Sequence, residues 1–337
     1  KTRKDKRMKR LICYLILAVG VLFVVQPAQA QSVGVDVPAW EDLEFRPGFE
    51  QQRPVTFKFL SVAPTARIAG MANTYTSVSD GMDAIFVNPA GIAKIKNLGF
   101  SFGYIDYWAG SKFYSGSLAY KVGRNFVLGL SVVSFKPPEM METTTLQPQG
   151  TGNMLDTGDI ALGLVVSRQL TDRLSAGFQV RYIQSKLGPE ELSTVSLDVG
   201  TLLNTGFRSL RLGMGLKNVS NEKVLLAEIS EMPVEFNIGA SMEFLGNLGD
   251  PLSVTTSFES AYFTDRGQRW HAGAELWAMN IAAIRAGYKW NYDEETWSIG
   301  VGLKGGLGDR DLRVDIAYTD FGDLLDSPLR VSFSGSF

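Results

Sequence analysis

Apolar and polar side chains alternate over most of the sequence that follows Asn97, and this alternation constrains the fold more than any other feature. Between Leu312 and Tyr318, for example, apolar residues occupy every second position, and Arg313 and Asp315 stand between them. Neighbouring side chains of a β-strand point to opposite faces of its sheet. The pattern therefore predicts strands with one apolar and one polar face.

Fourteen segments carry this pattern, and most reach the length of about 9–11 residues that a tilted membrane-spanning strand needs. The predicted strands are 98–107, 112–122, 126–135, 158–169, 175–186, 195–205, 210–218, 234–244, 252–262, 270–277, 281–290, 296–304, 311–319 and 329–337. An even number of long strands is typical of outer-membrane barrels. We therefore predict an all-β fold, a 14-stranded antiparallel transmembrane β-barrel.

The charged residues of the polar faces bear on the choice between a membrane barrel and a soluble sandwich. Those predicted to point inward include Arg181, Asp198, Arg211, Lys217, Glu235, Glu259, His271, Glu275, Arg285, Lys289, Arg313, Asp315 and Arg330. In a sandwich they would face solvent and the apolar faces would form the core. The barrel is favoured because aromatic residues lie near strand ends on the apolar face, as in an interfacial girdle. They are Trp270, Tyr288, Trp290, Trp297 and Tyr318.

The predicted connections differ in length between the two ends of the barrel. One end has short turns, and the other has several longer loops, with 108–110 as a short exception. The long loops are predicted at 136–157, 187–194, 219–233 and 320–328. Short periplasmic turns and longer extracellular loops are typical of outer-membrane barrels.

Residues 1–30 have the three parts of a secretory signal peptide. Basic residues dominate the first ten positions, an apolar run covers 11–25, and Ala28-Gln29-Ala30 supplies a small-residue cleavage site. The run is shorter than the ~20 residues of a spanning helix, which argues against an anchor. We expect cleavage before Gln31 and a location in the bacterial cell outer membrane.

Residues 31–96 lack the alternation and are punctuated first by prolines and then by small residues. A lumen of about fourteen strands is too wide for side chains alone to fill. We therefore predict that 31–96 forms an N-terminal arm and a hatch, or plug, inside a barrel of residues 97–337.

Within the hatch, Asn88-Pro89 favours a turn and Gly91 allows close backbone packing. We expect Asn88 to bond backbone in a turn next to the wall. We also expect Arg67 and Asp83 to pair with charges of the lumen.

The stretch from Phe59 to Ala93 resembles the N-terminal signature of the PorV/PorQ family, which belongs to the wider FadL-like group of outer-membrane proteins. The matching hatch residues are Arg67, Gly70, Met71, Asp83, Asn88, Pro89, Ala90 and Gly91. A looser likeness continues in Gly215-Leu216-Lys217-Asn218-Val219 and in the terminal Phe337. The sequence departs from the family at Ala72-Asn73, where members commonly have a glycine pair.

The resemblance implies a non-catalytic barrel that acts through protein partners, as a shuttle or translocon component of a type IX secretion-like system that carries cargo by its C-terminal domain. Two apolar loop regions are the candidate partner or ligand surfaces. Their residues are Met140, Met141, Leu146 and Met154, and Leu225, Leu226, Ile229 and Met232. Methionine-rich loops adapt to varied partners, although the first loop could equally fold over the barrel mouth as a lid.

The alternative is a FadL-like channel for uptake of hydrophobic small molecules, with Phe86 and Met71 as further candidate lining residues. An apolar pocket that opens to the hatch would favour transport, and a filled lumen with an apolar outer rim would favour partner binding.

An enzyme is not expected, and no cofactor is predicted. The single histidine, His271, has no triad spacing around it and is better interpreted as a hydrogen-bonding residue of the lumen. One histidine and one cysteine do not make a zinc site. A net charge of −2 gives no basic footprint for nucleic acid.

Overall fold

The computed structural model describes residues 55–337 except 79, 222, 226–227, 231, 294, 308–309 and 323–324. The predicted signal peptide and most of the predicted arm therefore lie outside the described residues. Among the described residues, none of the helices is long and apolar enough to cross a membrane.

The described residues form sixteen β-strands, and fourteen of them make one closed antiparallel barrel in which consecutive barrel strands pair and β1 pairs with β16. The strands are β1 (Leu98–Asp106), β2 (Lys112–Val122), β3 (Phe126–Lys136), β4 (Thr157–Gln169), β5 (Leu174–Leu187), β6 (Glu190–Asn204), β7 (Arg211–Val219), β8 (Lys223–Leu225), β9 (Glu228–Ser230), β10 (Glu235–Leu245), β11 (Leu252–Phe263), β12 (Gly267–Ala278), β13 (Ala282–Trp290), β14 (Trp297–Leu307), β15 (Arg310–Thr319) and β16 (Leu329–Ser336). The short strands β8 and β9 pair only with each other and lie outside the barrel sheet. The predicted fold is confirmed.

The alternation predicted from the sequence sets the two faces of the wall. In β10, Phe236 and Ile238 are exposed on the outer face, whereas Glu235 and Asn237 are buried. The charged residues predicted to point inward are buried or largely buried in the lumen, where they pair with other polar residues of the wall, with the outer loops or with the plug. The lipid-facing side is left apolar, as a membrane barrel requires.

Aromatic residues ring the outer face toward the long-loop end of β12 to β15. Tyr288 and Trp290 pack edge to face with centroids 4.8 Å apart, and Trp297 lies 5.6 Å from Tyr318. Trp270 stacks on Phe258 at 5.4 Å. These rings form the interfacial girdle that the sequence predicts.

The two ends of the barrel are named here by their connections. The inner end carries the short turns and both ends of the strand series, Leu98 and Ser336. The outer end carries the long loops 137–156, 220–234 and 320–328.

The prediction of a long loop at 187–194 is wrong. β5 runs to Leu187 and β6 begins at Glu190, so only Gly188-Pro189 connects them. The paired residues include Lys186 with Glu191 and Ser185 with Leu192. These polar ends of the two strands carry no regular apolar face, and the alternation that identified the other strands stops there.

The described residues of 57–95, all but 79, lie inside the barrel and are called the plug. The plug contains a 3-10 helix (Lys58–Ser61), a single α-helix, α1 (Ala66–Gly70), and two further 3-10 helices (Met82–Phe86 and Pro89–Lys94). Nearly all its described residues are buried, with Lys58, Gly81 and Lys94 among the exposed ones. Small side chains at most positions of α1 and Pro89–Lys94 let these elements lie close to the wall.

Candidate functional site

Glycines of the wall form the surface against which the plug packs. Those that touch the plug include Gly103, Gly177, Gly200, Gly213, Gly273, Gly287 and Gly300, and they are called the wall glycines. A Cβ atom added at Gly287 would lie 2.6 Å from the Cβ of Ala72, and one added at Gly213 would lie 2.2 Å from the Thr76 carbonyl oxygen. Backbone therefore packs on backbone, which a larger wall residue would prevent.

Several wall glycines face each other across neighbouring strands. Gly177 pairs with Gly200, and Gly273 pairs with Gly287. A cross-strand glycine pair forms a shallow channel in the wall, and Pro89 and Met71 of the plug lie over these two channels. The periodic small residues of the strands are thus matched to the plug.

The turn after α1 has the left-handed backbone that a glycine pair would favour, although Ala72 and Asn73 occupy it. Ala72 has φ 51° and Asn73 has φ 66°. Asparagine tolerates this region well and alanine costs about 1–2 kcal/mol there. The Ala72 N–H donates to the Ala69 carbonyl at 2.9 Å, and Asn73 N–H to that of Ile68 at 3.0 Å.

Arg67 is the centre of a buried ionic network. Its Nε donates to Glu275 of β12 at 2.8 Å, and its Nη2 donates to the other oxygen of the same carboxylate at 2.6 Å. Nη1 donates to the Tyr75 hydroxyl at 2.7 Å and lies 2.8 Å from the Asp80 carboxylate. Burial opposes the charge of Arg67, but Asp80 and Glu275 outweigh it and hold its pKa well above the ordinary value.

The wall extends this network around the barrel. Arg285 donates to Glu275 at 2.5 Å and lies 2.8 Å from Asp315. Arg313 donates to Asp315 at 2.9 Å and to Asp83 of the plug at 2.5 Å. Arg67 and Asp83 therefore both pair with lumen charges, as the sequence predicts.

The Asn88-Pro89-Ala90-Gly91 turn is held by the Asn88 side chain. Its oxygen accepts from Ala90 N–H at 3.0 Å, and its amide donates to the Thr76 carbonyl at 2.9 Å and to that of Thr201 in β6 at 3.0 Å. The asparagine caps the following 3-10 helix and bonds it to the wall, so the backbone bonds expected of Asn88 are present, and its role in assembly stays a prediction. Pro89 occupies the first helical turn, where no donor is needed.

A second side of the lumen, toward the outer end, is apolar. Phe57, Phe59 and Leu60 of the plug are buried there. The inward-facing wall residues of this cluster are Ile105, Phe113, Val133, Ala161 and Ile183 of β1 to β5. These wall residues enclose a site that Phe57, Phe59 and Leu60 fill, and this site is called the outer apolar pocket. Sequence analysis missed it, because 57–60 has no period and the wall residues are scattered over five strands.

Phe57 has φ 58°, a left-handed conformation that is rare for a bulky residue. Burial of its ring compensates for that strain. A cavity of about 60 Å³ is lined by Phe59 and Leu60 of this segment together with Arg181 and Lys217 of the wall. A wider space of about 430 Å³ lies at the inner end around Met82 and Arg313.

The candidate loop residues fall into three groups. Met232 is buried in the outer apolar pocket, whereas Met140, Met141, Leu146 and Met154 are exposed on the outer loop. Leu225 and Ile229 belong to β8 and β9, and Leu226 lies outside the described residues. The candidates therefore do not form one site.

Of the other candidate lining residues, Met71 is fully buried in the packing of the plug, and Phe86 is half-buried between that packing and the outer apolar pocket.

His271 hydrogen-bonds to the Tyr292 hydroxyl at 2.9 Å, across the outer end of the lumen. The structure therefore gives it a hydrogen-bonding partner in the lumen, as predicted. Within the described part of the chain, no group of three or more His, Cys, Asp or Glu side chains is placed to hold a metal ion.

No family model and no curated protein matches the sequence. The structure is similar to the CymD monoaromatic hydrocarbon channel, with a TM-score of 0.53 and 13% identity over 82% of this chain and 98% of that one. It is also similar to the Pseudomonas putida toluene transporter TodX, with a TM-score of 0.53 and 12% identity over 80% and 96% of the two chains. The chain shares their barrel fold. At this identity the likeness concerns the fold alone.

Proposed function

We propose that the protein is an outer-membrane channel for uptake of small hydrophobic molecules, exported by the leader that precedes Gln31. The observation that carries this proposal is the outer apolar pocket, an apolar site of the wall that side chains of the plug fill. A concave apolar site with a few polar groups nearby is the usual form of a small-molecule site. The fold shared with CymD and TodX, a monoaromatic hydrocarbon channel and a toluene transporter, supports the same function.

In this proposal, side chains of the plug itself fill the pocket when no ligand is bound. Phe57 and Phe59 place two aromatic rings where an aromatic hydrocarbon would bind. The pocket is thus already matched to flat apolar groups. A ligand that replaces these rings would bury apolar surface in the same place, and each Å² buried contributes about 25 cal/mol to the free energy of binding.

Binding of radiolabelled toluene to the full chain in amphipol, measured by equilibrium dialysis, tests the proposal. We expect Phe57→Ala combined with Phe59→Ala to lower the apparent Kd at least fivefold, because the internal competitor is removed. Phe244→Ala is the matched control, since this ring is 70% exposed on the outer face. Absence of saturable toluene binding in both the wild type and the double variant would contradict a channel for aromatic hydrocarbons.

The second candidate function is a partner-binding barrel of the PorV/PorQ kind, acting with a type IX translocon and cargo C-terminal domains. It is favoured by the outer loop 137–156, where Leu146 is 91% exposed and Met154 is 59% exposed. Two backbone hydrogen bonds hold the loop as a hairpin. Glu142 N–H donates to the Asn153 carbonyl, and Leu155 N–H donates to the Met140 carbonyl, both at 2.9 Å. An ordered loop with an apolar tip is suited to docking.

A pull-down from detergent-solubilised outer membrane tests this second function. We expect Leu146→Ser with Met154→Ser to lose the bound protein, while Met279→Ser retains it. Met279 is the matched control because it is 78% exposed at the opposite, inner end of the barrel. Equal recovery of the same protein with all three chains would show that the loop is not the docking surface.

A further inference from the structure

We propose that the plug has a second function, as an internal template that brings the first and last strands together when the barrel closes. This function is independent of any ligand. It rests on where the plug bonds to the wall: two separate parts of it span the seam between β1 and β16.

The first bridge is made by three consecutive plug residues, Pro64 to Ala66. The Ser115 hydroxyl of β2 donates to the Pro64 carbonyl at 2.8 Å, and Ala66 N–H donates to the Ser332 hydroxyl of β16 at 3.2 Å. Between these two serines lies Gly103 of β1, which is in register with both. A Cβ at Gly103 would lie 2.3 Å from the Pro64 oxygen, so the plug crosses directly over the seam.

The second bridge is made by Asp83 alone. One carboxylate oxygen accepts from the Ser101 hydroxyl of β1 at 2.8 Å, and the other accepts from Arg313 of β15 at 2.5 Å. Ser101 and Arg313 are both in register with Ser334 of β16, which lies between them. The Asp83 carboxylate thus joins the strands on either side of β16, through a buried bond to Ser101 and a partly buried one to Arg313.

The positions of these residues in the chain explain why a template is needed. Asp83 is 18 residues from Ser101 but 230 residues from Arg313. Joining segments so far apart carries the largest loop-closure cost in the barrel, and non-local strand pairing is slow for that reason. The plug packs early on β1 and β2, its neighbours in sequence, and then presents charged and polar groups to β15 and β16.

The seam closes through antiparallel pairing with matched positions, and this allows closure to be measured directly. Tyr104 of β1 is in register with Val331 of β16, and both face outward. Val180 of β5 and Leu197 of β6 are a similar outward pair far from the seam. Paired positions of a sheet lie within the Cα separation that a disulfide needs. The single cysteine of the sequence is Cys13, so a chain that starts at Gln31 contains only the cysteines introduced.

The experiment compares the rate of disulfide formation in the two pairs during refolding of residues 31–337 into lipid vesicles. We expect Asp83→Ala and Ser332→Ala each to slow the Tyr104→Cys/Val331→Cys bond at least fivefold and to leave the Val180→Cys/Leu197→Cys bond unchanged. Ser257→Ala is the matched control, because Ser257 of β11 donates to Thr74 of the plug at 2.6 Å away from the seam. It should slow neither bond.

If the seam variants slow both disulfides alike, the plug only stabilises the barrel and the proposal is overturned. Unchanged rates in all variants overturn it as well. Ser332→Ala removes one hydroxyl and leaves no charge unpaired, so the comparison survives even if Asp83→Ala does not fold.

Discussion

Arg67 shows how a charged side chain is retained in a lumen that removes it from water. It is 1% exposed, and it keeps its charge because Glu275 and Asp80 surround it. The guanidinium is planar and makes two parallel bonds to Glu275, a geometry that lysine does not reproduce. Breaking a buried pair on one side leaves the remaining charge without compensation.

We expect Arg67→Met to lower the free energy of unfolding by about 3–5 kcal/mol, because the buried Glu275 loses its bidentate partner and keeps Arg285, while Asp80 loses its ion pair. The measurement is the urea concentration at which the compact barrel disappears from unheated SDS gels. Lys186→Ala is the control: Lys186 and Asp156 lie 3.4 Å apart and are 42% and 79% exposed. Such a surface pair contributes about 0–1 kcal/mol. Equal effects of the two substitutions would contradict the role of the network.

Asn88→Ala removes the three hydrogen bonds that hold the turn to the plug and to β6. We expect the free energy of unfolding to fall by about 1–3 kcal/mol, because the Thr76 and Thr201 carbonyls and the Ala90 N–H each lose their bond to the Asn88 side chain. The readouts are protease cleavage within the plug and the yield of assembled barrel. Unchanged cleavage and unchanged assembly would show that the turn does not depend on Asn88.

At the scale of the structural elements, the wall glycines and the plug form a single fitted surface. We expect Gly287→Ala to lower the free energy of unfolding by about 1–3 kcal/mol or more, since overpacking forces backbone shifts. The new Cβ would lie 2.7 Å from the backbone nitrogen of Ala72. Gly305→Ala is the control, because a Cβ there meets no atom within 4 Å. The barrel tolerates the first substitution only if the plug is displaced, which protease cleavage would detect.

The loop that joins β13 to β14 gives a pH-dependent element. Burial raises the pKa of Glu295, but the ammonium of Lys289 outweighs it, so the pKa lies below the ordinary value. A carboxylate with a lowered pKa adds stability above its unfolded pKa and loses it as the pH falls through the folded one. We therefore expect the difference in Tm between the wild type and Glu295→Gln to be largest near pH 7 and to shrink as the pH falls through the lowered folded pKa of Glu295. A difference that stays constant with pH would contradict the ion pair.

At the scale of the whole molecule, the barrel was predictable because its alternation is repeated in fourteen strands and one face must meet lipid. The ends of β5 and β6 were not, since Lys186, Glu190 and Glu191 extend a polar ladder with no apolar face. The sequence indicated that Arg67 and Asp83 pair with the wall. It did not indicate their partners, because these depend on the register of strands more than 200 residues away.

The role of Phe57 to Leu60 was also beyond sequence reasoning. An aperiodic segment of four residues carries no signal of its own, and its burial follows from wall side chains contributed by five separate strands. Turn chemistry was more informative, as the Asn88-Pro89 pair indicated the turn, although not the 3-10 helix that Asn88 caps.

The wall glycines have a consequence for engineering. A wall glycine has no side chain, so the lumen beside it is limited by the strand backbone alone. Removing residues 57–95 after the barrel has assembled would uncover Glu275 and Arg285 on the wall, and we expect the ion selectivity of the resulting pore to depend on these two side chains.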